Sequence, residues 1–364
     1  MKAGIQVIMQ RVVVKARGSV VFSVLAVLAV AVTLATGQIG YADGGTTSAV
    51  SELDWTSRTG PGGRRTVHIE QVGQIGGVTH AVAVRSNLAY IGVGPRLAVV
   101  DVSIAEEPIL LGQTAPLPGV VIGVTVNGDI AYVSAGDAGV RVIDVSDPTQ
   151  PIEVGVEVTP ASAHQVALAG TMAYVAAGGS GLRILDVADP FHPIEIGRYD
   201  TPGTASGVAV SGPRAYVADE AYGLLVLDVS EPTEPVLFGV WDSPGLAYGI
   251  VVIGETAYVA DGEAGLRILD VGDAMDPVEL GSCDTPVAAS RLFVNGTTAY
   301  VADWWSGLRI IDVSDPERPA EIGFHGTSGY AVDVAVAGGM AYVADGDDGL
   351  RIVDVTSPSY PTLV

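Results

Sequence analysis

The dipeptide Ala-Tyr recurs every 42 residues along most of this 364-residue chain. A fixed period of this length indicates a stack of equivalent supersecondary units, because one such unit cannot bury its apolar face alone. The repeat therefore outweighs chain length, which by itself would allow two domains. The seven copies begin at Ala89, Ala131, Ala173, Ala215, Ala257, Ala299 and Ala341.

Within one unit, apolar residues alternate with small or polar ones, which is the period of a β-strand. In the fourth unit this pattern covers residues 207–211, 215–219, 224–229 and 236–241, and the prolines Pro232 and Pro235 fall between the third and fourth segments. Four strands in 42 residues predict one propeller blade, so the chain is expected to be an all-β, seven-bladed β-propeller built from seven 42-residue four-stranded repeats. A parallel β-helix is the rival fold, but its coils are much shorter than this period.

The chain is expected to contain three parts. Residues 1–42 combine basic residues with an apolar run and small residues before Asp43, as in a secretory signal peptide, although an uncleaved N-terminal anchor is the alternative. Residues 43–66 are rich in Gly, Ser and Thr and predict a flexible linker. Residues 67–364 form the propeller, in which the strand-like segment 68–73 is expected to pair with the outer edge of the last blade.

The charge distribution narrows the possible partners. The net charge is −23, every acidic residue lies at or beyond Asp43, and both lysines, Lys2 and Lys15, lie before it. Such a surface repels phosphate backbones, so no nucleic-acid partner is expected, and membrane contact is expected only through an uncleaved N-terminal segment. The single cysteine, Cys283, excludes an internal disulfide framework.

A short motif ends the third predicted strand of most units. In the sixth unit it reads Gly307-Leu-Arg-Ile-Ile-Asp-Val-Ser-Asp-Pro316, and it is nearly intact in the second, third and seventh units. These segments resemble the LVIVD repeat family of bacterial and archaeal cell-surface proteins, whose repeats are expected to form propeller blades. The resemblance covers residues 67–364 and implies export and a surface role, but it supplies no catalytic residue.

Comparison of the seven copies distinguishes positions that hold the same residue in every blade from positions that differ between blades. A residue present in every copy serves the blade, so the aspartate that ends each third strand is predicted to accept local hydrogen bonds. An arginine shared by five copies is predicted to pair with nearby acids such as Asp261, Asp303 and Asp345. The aspartates are Asp101, Asp144, Asp186, Asp228, Asp270, Asp312 and Asp354, and the arginines are Arg141, Arg183, Arg267, Arg309 and Arg351.

Two positions that lead into the innermost strand differ between the blades. They are expected to surround the mouth of the central channel, together with the loops between second and third strands. Two histidines and a carboxylate at such a mouth are candidate ligands of a transition metal, but the favoured explanation is that they are polar residues lining a wet channel. The candidate residues at these positions are His80, His164, Gln165, Tyr248, Arg291 and Asp333.

The loops between second and third strands supply further candidates. Trp304, Trp305 and Tyr222 suggest a surface for a protein or carbohydrate partner, unless one tryptophan packs over the neighbouring blade. The acidic turns at 261–265 and 345–349 are candidate Ca²⁺ sites, but they lack the spacing of an EF-hand and also fit ordinary turn chemistry.

These features favour an exported cell-surface, periplasmic or extracellular propeller that acts as a protein- or ligand-binding scaffold. The sequence contains no GxSxG elbow, P-loop or dinucleotide fingerprint, so no catalytic residue, metal ligand or cofactor is assigned. The alternative is a metal-assisted hydrolase or lyase at the channel mouth, which requires His80, His164 and Asp333 to converge. A structural envelope component, which would self-associate, is a third hypothesis.

Overall fold

The computed structural model describes residues 78–359 and 361–364. The chain divides into two units, Met1–Thr66 and Val67–Val364, and every described residue belongs to the second. The predicted signal segment, linker and edge-closing strand therefore lie outside the described residues. The described part of the chain has no helix that is long and apolar enough to span a membrane.

The described residues form seven four-stranded antiparallel sheets, and within each sheet the strands follow chain order from one edge to the other. The first four blades comprise β1 (Thr79–Arg85), β2 (Leu88–Val93), β3 (Arg96–Asp101), β4 (Ile109–Gln113); β5 (Gly123–Asn127), β6 (Ile130–Ser134), β7 (Val140–Asp144), β8 (Ile152–Glu157); β9 (Gln165–Ala169), β10 (Met172–Ala176), β11 (Leu182–Asp186), β12 (Ile194–Tyr199); β13 (Gly207–Ser211), β14 (Arg214–Ala218), β15 (Leu224–Asp228) and β16 (Val236–Trp241). The last three blades comprise β17 (Gly249–Ile253), β18 (Thr256–Ala260), β19 (Leu266–Asp270), β20 (Val278–Cys283); β21 (Arg291–Asn295), β22 (Thr298–Ala302), β23 (Leu308–Asp312), β24 (Ala320–His325); β25 (Asp333–Ala337), β26 (Met340–Ala344), β27 (Leu350–Asp354) and β28 (Thr362–Leu363).

The first strand of each blade lies innermost and contacts the first strands of both neighbouring blades, including β25 with β1. The seven sheets therefore close into a ring around a central channel, and the predicted seven-bladed β-propeller is confirmed.

The apolar core lies between the blades. Each of the seven core clusters joins two consecutive blades, and the tyrosine of the Ala-Tyr pair fills the junction with the blade that follows. Tyr216, for example, is 2% exposed and packs with Ile250 and Val259 of the fifth blade. The repeat of Ala-Tyr thus reflects one packing contact made seven times, which is where burial of apolar surface stabilises the ring.

The ring closes through backbone hydrogen bonds as well as through packing. Thr79 at the start of the first blade and Gly346 of the seventh blade exchange N–H···O bonds of 2.9 and 3.1 Å. A core cluster containing Ile91 and Ile352 fills the space beneath them.

The predicted framework contacts are confirmed. In all seven blades the N–H two residues after the strand-ending aspartate donates to its Oδ1, at 2.8–2.9 Å. Three of the five arginines reach the expected acids: Arg267 to Asp261 at 3.9 Å, Arg309 to Asp303 at 3.7 Å and Arg351 to Asp345 at 3.4 Å. Arg141 and Arg183 pair instead with Glu153 and Glu195 on the outer strands of their own blades.

Candidate functional site

One face of the ring carries both the loops between second and third strands and the segments that lead into the innermost strands. The two sets are joined by backbone bridges from each blade to the next, for example Glu220 with Ala247 and Trp304 with Ala331. We call this surface the mouth face. The connections between third and fourth strands lie on the opposite face, because adjacent strands are antiparallel.

Buried aspartates clamp the loops of the mouth face together. Asp219 is fully buried; its Oδ1 accepts a 2.6 Å bond from the Thr201 hydroxyl and its Oδ2 a 2.8 Å bond from the N–H of Gly203. Asp303 is held in the same way by the Thr285 hydroxyl and the N–H of Val287. Burial raises the pKa of both carboxyls, and these hydrogen bonds oppose that shift. Each clamp therefore fastens the connection that enters the blade to the end of the second strand of that blade.

The two acidic turns proposed as Ca²⁺ sites use their first aspartate for the same clamp. Asp261 is fully buried and accepts bonds from the Ser243 hydroxyl and the N–H of Gly245. Asp345 is also fully buried, and it accepts a bond from the N–H of Gly329 and pairs with Arg351. These contacts engage both carboxylate oxygens of Asp261 and Oδ2 of Asp345 in the same clamp.

A cavity of about 300 Å³ opens at the centre of the mouth face. Each blade contributes one lining residue, from the first of the two variable positions that lead into the innermost strand. Glu220, Trp304 and Arg291 complete the lining. The seven equivalent residues are His80, Ile122, His164, Ser206, Tyr248, Ser290 and Val332.

The floor of this cavity is crossed by Arg291. Its Nη1 donates to Oε1 of Gln165 on the third blade, at 2.7 Å, and to the carbonyl oxygen of Tyr248, at 3.1 Å. Gln165 Oε1 also accepts a bond from the N–H of Val208. A side chain from the sixth blade is thereby tied to the third and fifth blades, and the channel is obstructed just below its mouth.

Asp333 lies at the same level and is held by backbone. Its two oxygens accept 2.9 Å bonds from the N–H groups of Val82 and Val334. Burial raises the pKa of Asp333 to about 6, an effect that the Arg291 charge and the two N–H donors partly offset. Burial likewise lowers the pKa of Arg291, opposed by the Asp333 charge.

The two histidines at the mouth do not form a metal site with Asp333. Among residues 78–359 and 361–364, no three His, Cys, Asp or Glu side chains gather in a metal-ligating group. Burial lowers the pKa of both His80 and His164, and the Arg291 charge lowers that of His164 further. The convergence that the hydrolase or lyase hypothesis requires is therefore absent from the described structure.

A second cavity, of about 520 Å³, adjoins the first on the side of the fifth and sixth blades. The two cavities share Tyr248 and Trp304, so together they form one groove from the channel mouth toward the rim. The remaining lining comes from the loops of the fifth blade, with Leu246 and Glu263, and from Ala288.

The aromatic residues proposed as a partner surface are exposed on this face. Trp304 is 39%, Trp305 65% and Tyr222 48% exposed. Trp305 contacts the ring of Tyr330, with centroids 5.3 Å apart, and Tyr330 in turn faces His80 at 6.2 Å. One tryptophan thus leans on a neighbouring blade while keeping most of its surface accessible.

Alignment of the seven repeats did not single out Glu220, which also lines the cavity. It occupies a position of positive φ in all seven blades, which favours glycine. Only Glu220, at +46°, and Trp304, at +39°, adopt this conformation with a side chain; the other five blades have glycine there, and both exceptions line the mouth cavity. Because non-glycine residues in this region carry strain, such outliers point to a role for the side chain. The signal was readable from the aligned repeats, since glycine is replaced in two copies alone. The five glycines are Gly94, Gly136, Gly178, Gly262 and Gly346.

Comparison with known proteins agrees with this architecture. The sequence profile of the LVIVD repeat matches seven segments, residues 76–115, 118–159, 160–201, 202–243, 244–285, 288–327 and 328–364. No curated protein gives a significant match.

Solved structures of similar fold include the computationally designed Ika8 protein, with a TM-score of 0.58 and 9% identity over 78% of this chain and 98% of that chain. BamB from Moraxella catarrhalis is similar with a TM-score of 0.54 and 15% identity, over 76% of this chain and 83% of that chain. At these identities the likeness concerns the fold alone.

Proposed function

The chain belongs to the LVIVD repeat family, and from this premise we propose that it is an exported binding scaffold that recognises a protein or carbohydrate partner with its mouth face. The observation that carries the proposal is the division of labour between repeated and individual residues. Positions shared by the blades make framework contacts, whereas the positions that differ surround one cavity. Variable side chains on a rigid support are the arrangement expected of a recognition surface.

The exposed aromatic residues support recognition at this place. Trp304 and Trp305 together present a large, partly apolar surface that is held by the backbone bridge between Trp304 and Ala331. Aromatic side chains of this kind commonly provide most of the energy of an interface, because they bury much surface at little cost in conformational entropy. The strain accepted at Trp304 is consistent with a side chain retained for binding.

The obstructed channel supports a surface role over a conduit. Arg291 and Gln165 block the passage directly beneath the mouth, so a ligand would approach and leave from the mouth face. Export is proposed from the basic and apolar residues at the start of the chain, which lie outside the described residues.

The test is to screen the full-length chain on glycan and peptide arrays, and then to compare two variants with any ligand obtained. Trp304→Gly introduces the residue that five blades carry at this position, so it removes the side chain without disturbing the backbone. Phe191→Ala is the matched control, since Phe191 is 57% exposed in a loop of the opposite face. We expect Trp304→Gly to weaken binding at least about tenfold and Phe191→Ala to leave it unchanged. Equal binding by wild type and Trp304→Gly would contradict recognition at the mouth face.

A further inference from the structure

The larger cavity of the groove has an unusual lining for so acidic a protein. Its walls contain two aromatic rings, Tyr248 and Trp304, flanked by the apolar Leu246 and Pro244. Glu263 is the only charged residue among those that line it. The cavity thus combines aromatic faces, an apolar rim and one carboxylate.

The negative charge beside these rings is not neutralised by the protein. Glu263 is exposed and forms no ion pair with any described residue. Glu220, which lines the adjoining mouth cavity, accepts a 2.8 Å hydrogen bond from the neutral hydroxyl of Ser206. The pKa of the Tyr248 phenol is raised chiefly by burial and further by the negative charges of Glu220 and Glu263. Both carboxylates therefore lie within electrostatic reach of this ring.

Positive charge is scarce around this cavity. The chain has no lysine beyond Lys15. Arg291 lines the adjoining mouth cavity but not the larger one. It is already engaged by Gln165 and by the carbonyl oxygen of Tyr248.

The chemistry of the cavity walls favours a positively charged ligand. The faces of Tyr and Trp rings carry negative electrostatic potential and attract cations, an effect that strengthens when water is displaced. Two nearby carboxylates act in the same direction and would repel an anion. A neutral ligand would gain stacking but would leave the charge of Glu263 unpaired.

The size of the cavity indicates that the cation belongs to a larger ligand. A volume of about 520 Å³ is within the range for ligands much larger than a single ammonium group. The apolar rim formed by Pro244 and Leu246 adds room for uncharged groups beside the cation. A basic side chain on a peptide segment, with apolar neighbours along that segment, meets both requirements.

We infer that this cavity receives a lysine or arginine side chain of a partner protein, with the cation over Tyr248 and Trp304 and beside Glu263. The inference rests on the proposed function of the mouth face and specifies the chemistry of its ligand.

The experiment titrates the full-length chain with the peptide acetyl-Leu-Arg-Leu-amide and with the same peptide carrying citrulline, which is the neutral analogue of arginine. Binding is measured by calorimetry at low and at high salt. The protein variants are Glu263→Gln, which removes the charge at nearly constant shape, and Glu234→Gln, which removes a charge from an exposed loop on the opposite face.

We expect the arginine peptide to bind wild type and Glu234→Gln alike, about tenfold more weakly to Glu263→Gln, and more weakly at high salt. The citrulline peptide should bind at least about tenfold more weakly than the arginine peptide. Equal binding of the two peptides, no binding of the arginine peptide, or no effect of Glu263→Gln would each overturn the inference. If a neutral glycan or peptide from the arrays still requires Trp304, the cation inference fails while the binding function of the mouth face stands.

Discussion

Nη1 of Arg291 donates a 2.7 Å hydrogen bond to Oε1 of Gln165, although the two residues belong to the sixth and third blades. In a ring of seven, blades three positions apart are as far from each other as the ring allows, so this bond spans the channel. It joins innermost strands that share no backbone pairing. The contact therefore makes the floor of the mouth cavity and ties opposite sides of the ring together.

Replacing Arg291 with alanine is expected to destabilise the propeller by about 3 kcal/mol, because it leaves the buried Asp333 carboxylate without the guanidinium that offsets its burial. Chemical unfolding of the full-length chain measures this change. Arg198→Ala is the control: its side chain is 66% exposed and pairs with Glu195 at 3.9 Å, so the expected change is below about 1 kcal/mol. Similar losses for both variants would show that the guanidinium of Arg291 adds little to stability.

The pH dependence of stability should report the titration of Asp333. Its pKa is raised to about 6 in the folded protein, above the value of an unfolded aspartate, so the folded state binds the proton more tightly. Its protonation therefore adds stability as the pH falls from about 7 toward 4, and this contribution disappears as the pH rises through 6. Asp333→Asn removes the titration.

The melting temperature of wild type minus that of Asp333→Asn should accordingly increase by about 2–4 °C between pH 7 and pH 4.5. The other buried aspartates with raised pKa, such as Asp219 and Asp303, contribute to both proteins and cancel in the difference. A difference that stays constant with pH would exclude a raised pKa at Asp333.

The strained backbone at Glu220 predicts a gain of stability on substitution. Glu220→Gly inserts the residue that suits a φ of +46° and should stabilise the protein by about 1 kcal/mol. Glu220→Ala keeps the strain and should give no gain. Thermal unfolding of the three proteins distinguishes these outcomes, and a loss of stability in Glu220→Gly would mean that the Ser206–Glu220 hydrogen bond outweighs the strain.

The converse substitution provides the matched control. Gly262 occupies the same position in the fifth blade at a φ of +54°, and a Cβ there would lie 3.2 Å from the carbonyl oxygen of Leu246. Gly262→Ala is therefore expected to cost about 1–2 kcal/mol. Together the two substitutions test whether this position prefers glycine in every blade.

Much of the framework could be predicted because the repeat acts as its own alignment. The hydrogen bonds of Asp228 and its six equivalents depend on residues two apart in sequence, so they follow from local backbone geometry. The meeting of His80, His164 and Tyr248 at one cavity could also be anticipated, because equivalent positions in a closed ring lie at the same height and radius.

The chemistry at the centre of the ring could not be predicted in this way. The partner of Arg291 depends on side-chain length across the channel, and the raised pKa of Asp333 depends on what surrounds it. The hydrolase hypothesis rested on three residues that the described structure does not gather into a metal-ligating group. Glu220 was missed for a different reason: the replacement of a repeated glycine is visible in the sequence, and the positive φ that the structure shows at this position gives the reason for the glycine.

The 42-residue period and the alternation of apolar residues were sufficient to specify the blade and the number of blades, because these depend on local periodicity and on the closure of identical units. The obstructed channel depends on the distance between the third and sixth blades, which are far apart in sequence. The acidic aromatic groove depends on how the loops of the fifth and sixth blades meet around the mouth. Those distances exist only after the ring has closed, when side chains that are unrelated in sequence face one another across a confined space.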